Sequence, residues 1–88
     1  MSDITFSEKA WEEYLDWQTQ DKKILRKINS LLKEIQRTPF DGEGKPEPLK
    51  NDKSGAWSRR INSCDRLVYA IENGKIIVLQ CKGHYDSK

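Results

Sequence analysis

The dipeptide Asn73-Gly74 separates two runs whose side chains alternate with a period of two, Asp65 to Glu72 and Lys75 to Lys82. Asn-Gly accepts the positive φ angles of a type I′ turn, the two-residue connection whose twist matches that of paired strands. The pair therefore commits this stretch to an antiparallel hairpin and sets its register. Glu72 falls opposite Lys75, a favourable cross-strand charge pair. Counting back from the turn puts Arg66 opposite Cys81. Arg66, Val68 and Ala70 then share one face with Ile77, Leu79 and Cys81, while Leu67, Tyr69 and Ile71 share the other with Ile76 and Val78. Trp57 to Asn62 also alternates and reads as a further strand. Both faces are fairly apolar, so helices are expected on one and a partly covered concave surface on the other.

The first half of the chain supplies those helices. Asp3 to Phe6 is a short strand candidate, and Ser7 reads as an N-cap with Glu8 in the first turn. Ala10, Trp11, Tyr14, Leu15 and Gln18 then recur at helical spacing, which predicts an amphipathic helix over 8–19. Asp21 caps a second helix, whose apolar stripe is Ile24, Ile28, Leu31, Leu32 and Ile35. Thr38 precedes Pro39, which disfavours helical geometry at Thr38 and closes the segment. The short link between the two predicts an antiparallel helical hairpin. Trp11 and Trp57 read as core anchors. Residues 39–56 are irregular and punctuated by proline and glycine. Within them Pro46 and Pro48 bracket Glu47, which stiffens the backbone there and suggests a short strand from Glu47 to Lys50.

At 88 residues the chain is read as one domain, 1–88, of α+β class. Its charged fraction is high, 34% against 35% apolar, but the apolar residues are clustered and periodic, which argues against disorder. The net charge of +2 says little, whereas its distribution says more. Acidic residues concentrate in the first helix. Lys22, Lys23, Arg26 and Lys27, and then Lys45, Lys50, Lys53, Arg59, Arg60 and Arg66, form locally basic surface that attracts phosphate. Cys64 and Cys81 have neither metal-site nor disulfide spacing, so a reduced cytoplasmic protein is expected. The first 20 residues are too polar for a signal peptide, and no apolar run approaches the roughly 20 residues of a membrane span.

Cleaving RNA by acid–base chemistry needs a base for the 2′-hydroxyl, cations for the charged phosphorus species and an acid for the leaving 5′-oxygen. Glu47, Arg66 and His84, the chain's only histidine, suit those roles in that order. No His/Cys/Asp/Glu cluster has metal-ligand spacing, and no cofactor is implied. Each residue also has a plainer reading. His84 and Glu47 fit ordinary surface groups, Arg59 and Arg60 fit a sheet edge, and Arg66 fits an ion pair with Asp65. Strict alternation places Arg66 and Tyr85 on one sheet face and His84 on the other, unless a bulge or bend at Gly83 re-aims the chain.

The tract from Thr38 through Glu47 to Lys50, the tract Ser54-Gly55-Ala56-Trp57-Ser58-Arg59-Arg60-Ile61, the run Asp65-Arg66-Leu67-Val68-Tyr69-Ala70 and the pair His84-Tyr85 closely resemble the bacterial YoeB toxins of the RelE superfamily. The resemblance extends through Ser7 to Trp17 and Asp21 to Leu31, and so covers nearly the whole chain in order. It implies a helical hairpin packed on a twisted, mainly antiparallel sheet. It also implies a ribosome-dependent endoribonuclease that cuts mRNA in the A site of the 70S ribosome and stops translation. Such a toxin is typically a homodimer, inhibited by a YefM-like antitoxin that itself binds operator DNA. By the same resemblance Glu47 matches the general base, Arg66 the transition-state arginine, His84 the general acid and Tyr85 the tyrosine that supports it. Lys50 and Arg60 match positive residues near the scissile phosphate, and Arg59 the other member of that arginine pair. The implied products are a 2′,3′-cyclic phosphate (or 3′-phosphate) and a 5′-hydroxyl. The chain departs from the family at Gly83, where a bulkier residue is common, and in carrying Asp86-Ser87-Lys88 after the His-Tyr pair. A second reading of the residues is a RelE-like module that binds an antitoxin or the ribosome without cleaving.

Overall fold

Seven elements follow one another in the computed structural model, which describes residues 2–49 and 55–84: β1 (Ile4–Phe6), α1 (Glu8–Gln20), α2 (Lys22–Arg37), β2 (Glu47–Pro48), β3 (Trp57–Arg60), β4 (Arg66–Glu72) and β5 (Lys75–Gln80). The strands form a single sheet in the order β1-β5-β4-β3-β2, in which only the β1–β5 pairing is parallel. Two helices on a mostly antiparallel sheet make this an α+β fold, as expected.

Local chemistry sets the helix ends. The Ser7 hydroxyl accepts the Ala10 N–H, and the Asp21 carboxylate accepts the N–H groups of Lys23 and Ile24. Side-chain oxygens at these positions satisfy amide donors that have no partner inside the helix. Asp21 does double duty, because its own backbone N–H also closes α1 by donating to the Trp17 carbonyl. With a single residue between them the helices fold back on each other, and the Tyr14 hydroxyl meets Asn29 Oδ1 at 2.6 Å. Along α2, Ile28, Leu31, Leu32 and Ile35 are buried against Leu67, Tyr69, Ile76 and Val78 of the sheet. Burial of each such aliphatic side chain contributes about 1.5–3 kcal/mol.

The α1 stripe is rotated from its predicted position. Ala10 and Trp17 are buried, whereas Trp11 is 47% exposed and Leu15 also lies at the surface. Trp11 is therefore not a core anchor. Its indole stacks on Tyr14, with ring centroids 5.9 Å apart, and meets the edge of Phe6 at 5.6 Å. Trp17 takes the interior place, one helical turn beyond Tyr14. Trp57 is half-buried and packs on Phe40 at 4.9 Å.

The hairpin forms as read, with Asn73 at φ 52° and Gly74 at φ 76°, both in the left-handed region that a type I′ turn demands. Glu72 pairs with Lys75, and the predicted register holds as far as Tyr69 opposite Val78. There it slips. Val68 pairs with Gln80, so Leu79 is one extra residue on β5. Such a bulge reverses the parity of everything beyond it. Cys81, predicted to lie opposite Arg66 and on the same face, instead turns into the core with no exposed surface. Its Sγ lies 3.6 Å from the Ala10 carbonyl oxygen, and burial with nearby Glu13 and Asp65 pushes its thiol pKa up to about 12.

Candidate active site

The sheet face away from the helices collects three of the predicted site residues. Directly paired residues share a face, and the face alternates along each strand. Glu47 pairs with Ser58, Ser58 with Val68, and Arg60 with Arg66. Glu47, Arg60 and Arg66 thus share the outer face, on three adjacent strands about 4.8 Å apart. Glu47 and Arg60 are exposed and Arg66 is half-buried. Pro46 and Pro48 flank Glu47 in β2, a strand confined to Glu47–Pro48. Lys50 and Tyr85, the other two predicted site residues, lie outside the described residues.

Arg59 points the opposite way, as its neighbour in a strand must. Its guanidinium is fully buried and donates to four oxygens: the Tyr69 hydroxyl at 3.1 Å and the carbonyls of Glu43 at 3.0 Å, Asp41 at 2.9 Å and Thr38 at 2.6 Å. Tyr69 in turn donates to the Pro39 carbonyl at 2.7 Å. Burial raises the pKa of that phenol, partly offset by Arg59, so it stays neutral and able to donate. The expected substrate contact for Arg59 does not fit a side chain without exposed surface. It holds the 38–43 loop, from which the chain leads into β2. The backbone also ties this loop to β3, through the Arg60 N–H on the Gly44 carbonyl at 2.7 Å.

Arg66 makes no ion pair with Asp65. Its Nη1 donates to the carbonyls of Asn62 at 2.8 Å and Asp65 at 3.1 Å, and no carboxylate salt-bridges it among the described residues. A guanidinium held by neutral carbonyls keeps its full charge for an incoming anion. The turn that presents it is organised by Asn62, whose Oδ1 accepts the N–H groups of Cys64 and Asp65.

The alternation problem at His84 has a backbone solution. After the bulge, α1 grips the end of β5: the Trp17 indole N–H donates to the Cys81 carbonyl at 2.9 Å, and the Cys81 N–H donates to Glu13 Oε1 at 2.9 Å. Lys82 lies over the Trp17 ring at 5.2 Å and reaches Gln20. The chain then bends at Gly83, φ 89°, whose carbonyl accepts the Arg66 N–H at 3.0 Å. His84 is the next residue, and it is exposed. The chain's only histidine therefore leaves the fold one peptide bond from a direct hydrogen bond to Arg66. The bend at Gly83 is the one the sequence allows, whereas the bulge at Leu79 and the grip of Trp17 and Glu13 have no local sequence signature.

A groove of about 560 Å³ lies at the far edge of the sheet from β2, lined by Ile4, Phe6, Trp11, Tyr14 and Leu32 among others. It holds none of the residues above.

Comparison with known proteins agrees along nearly the full length. The family described as the YoeB-like toxin of bacterial type II toxin–antitoxin system matches residues 6–85. Toxin YoeB of Escherichia coli strain K12 is 51% identical over 82 residues, which span 93% of this chain and 98% of that protein. The solved YoeB dimer from Staphylococcus aureus superposes with a TM-score of 0.89 at 48% identity, covering 96% of this chain and 98% of that one. The heterotetrameric YoeB–YefM toxin–antitoxin complex from the same organism gives 0.87 at 48% identity, covering 97% and 99%.

Proposed function

The chain belongs to the YoeB-like toxins of bacterial type II toxin–antitoxin systems, and from that membership we propose that it is an endoribonuclease which cuts mRNA in the A site of a translating ribosome. Glu47 takes the proton of the 2′-hydroxyl. The freed 2′-oxygen attacks the adjacent phosphorus, and Arg66, with Arg60 and Lys50, balances the negative charge that gathers on the phosphoryl oxygens. His84 gives a proton to the 5′-oxygen as its bond to phosphorus breaks. A 2′,3′-cyclic phosphate and a 5′-hydroxyl result, and hydrolysis of the cycle gives a 3′-phosphate. Tyr85, next in sequence, supports His84.

One observation carries this reading: Arg60 and Arg66 are register partners on the face that also holds Glu47, and the residue before His84 is bonded to the Arg66 backbone. This arrangement supports a reading in which the acid is tethered beside a surface that carries the base and the two arginines. That surface is open and only mildly basic, which suits a substrate presented by a larger machine better than bare RNA bound by charge alone.

The YoeB–YefM complex of S. aureus supports a YefM-like antitoxin as the inhibitor of this chain, and the YoeB dimer supports a homodimer. Operator DNA is reached only through the antitoxin. The ribosomal substrate places the action in the cytoplasm.

Primer extension on a translated mRNA tests the proposal. Discrete A-site cuts are expected with ribosomes and not without them, and they are expected to vanish in Glu47→Ala and to fall to a small residual rate in His84→Ala. Ribosome binding without cuts would instead mean a non-catalytic module. Equal cutting of naked RNA would contradict ribosome dependence.

A further inference from the structure

We infer that Asp65 is a positioning residue for His84, acting by clamping the Gly83 peptide beside Arg66. The inference rests on the reading of His84 as the proton donor. The Asp65 Oδ1 accepts the Gly83 N–H at 2.7 Å, while the Gly83 carbonyl accepts both the Arg66 N–H at 3.0 Å and the Gln80 side-chain amide at 3.2 Å. Both polar groups of Gly83 are therefore held, and residues 65 and 66 supply a bond to each.

The consequence for His84 follows from peptide geometry. The Gly83 carbonyl and the His84 nitrogen and Cα lie in one plane. Two hydrogen bonds on that carbonyl oxygen fix the plane, and hence the starting point of the His84 side chain. The opposite end of Gly83 needs its own restraint. Glycine has wide conformational freedom, and φ 89° is a value that a side chain at this position resists. Among the described residues a Cβ here would meet only the Gln80 side-chain nitrogen at 4.0 Å, so the bonds on Gly83, and not crowding by those residues, favour this conformation.

The clamp is itself braced. Asp65 Oδ2 accepts the Asn62 side-chain N–H at 3.0 Å, and the Asp65 backbone N–H donates to Asn62 Oδ1 at 2.7 Å. With both oxygens engaged, the carboxylate cannot swing freely. The same turn aims the Arg66 guanidinium through the Asn62 and Asp65 carbonyls. One short turn, 62–66, thus sets the arginine and the histidine relative to each other.

Single-turnover cleavage on programmed ribosomes, read together with amide hydrogen exchange at Gly83, tests this. Misplacing a reacting group by about 1 Å costs on the order of 100-fold. Asp65→Ala should lose Gly83 amide protection and cut about 10- to 100-fold more slowly, with ribosome binding unchanged. Asp65→Asn keeps an oxygen for the Gly83 N–H but gives up the acceptor for the Asn62 side chain, and should retain more protection and a faster rate than Asp65→Ala. In a His84→Ala background, Asp65→Ala should add no further loss, because its effect passes through the histidine. A wild-type rate in Asp65→Ala with Gly83 deprotected would overturn the inference. So would a full further loss in the His84→Ala background, or a rate in Asp65→Asn as low as in Asp65→Ala while Gly83 stays protected. If Asp65→Ala does not fold, Asn62→Ala, which removes the brace from Asp65, takes its place: it should weaken Gly83 protection and slow cutting, and a wild-type rate with Gly83 deprotected would overturn the inference. If wild type cuts nothing, the proposed function fails, and Gly83 exchange in Asp65→Ala still reports whether the clamp exists.

Discussion

Arg59 and Arg60 are adjacent on β3 and face opposite sides of the sheet. Arg59 has no exposed surface and spends its guanidinium on a hydroxyl and three carbonyls. Arg60 is exposed, and among the described residues no carboxylate salt-bridges it; across the ladder it meets Arg66. The same side chain is a structural strut on one face and an anion-attracting charge on the other. Two like charges opposite each other destabilise a ladder. On an exposed face such a pair fits the proposed site for phosphate better than a merely structural sheet.

This contrast makes separable predictions. Arg59→Ala strips four hydrogen bonds from the interior and strands carbonyls of the 38–43 loop, a loss of about 3–5 kcal/mol and a large share of the roughly 5–15 kcal/mol that holds a domain together. Chemical denaturation should show it as a sharply lowered midpoint, and a midpoint near wild type would mean that the loop does not depend on Arg59. Next comes Arg66→Ala, from which we expect a 10²- to 10³-fold fall in single-turnover cleavage, the scale of losing one transition-state donor. Its stability should fall far less than that of Arg59→Ala, since the lost bonds are half-exposed.

Trp17→Phe probes the grip of α1 on the end of β5. It leaves the Cys81 carbonyl without its indole donor, a cost of about 1 kcal/mol. A thermal melt checks the stability, and a parallel fall in cleavage would show that this grip also serves His84. The last effect, absent at neutral pH, concerns the buried Cys81 thiol. Its pKa rises from 9.0 to about 12 in the fold, so the folded state holds a proton that the unfolded chain gives up. The stabilisation is complete below pH 9 and is lost as the pH climbs toward 12. Tyr69, also raised above its ordinary 10.0, acts in the same direction from pH 10 upward. Denaturation midpoints across pH 8–11 should fall in wild type and fall less in Cys81→Ala.

Features fixed by neighbours in sequence were legible from the chain. The Ser7 and Asp21 caps, the Asn73-Gly74 turn and the α2 stripe each need only a few adjacent residues, and each formed as read. What depended on distant partners was not. Arg59 looked like its neighbour because nothing local shows that three loop carbonyls and Tyr69 will meet it. Trp11 and Trp17 compete for one interior place, and the choice belongs to the sheet edge beneath α1. Leu79 carries no sign of a bulge, so the strand parity before His84 came out reversed. Asp65 reads as an ion-pair partner from its neighbours, because nothing local shows that its carboxylate will meet the Gly83 N–H.

The most direct check on the division between the two faces is to measure unfolding and single-turnover mRNA cleavage side by side in Arg59→Ala and Arg60→Ala. Arg60→Ala should unfold within about 0.5 kcal/mol of wild type yet cleave at least about tenfold more slowly, while Arg59→Ala should lose stability first. An Arg60→Ala protein that cleaves at the wild-type rate, or that loses as much stability as Arg59→Ala, would contradict the account.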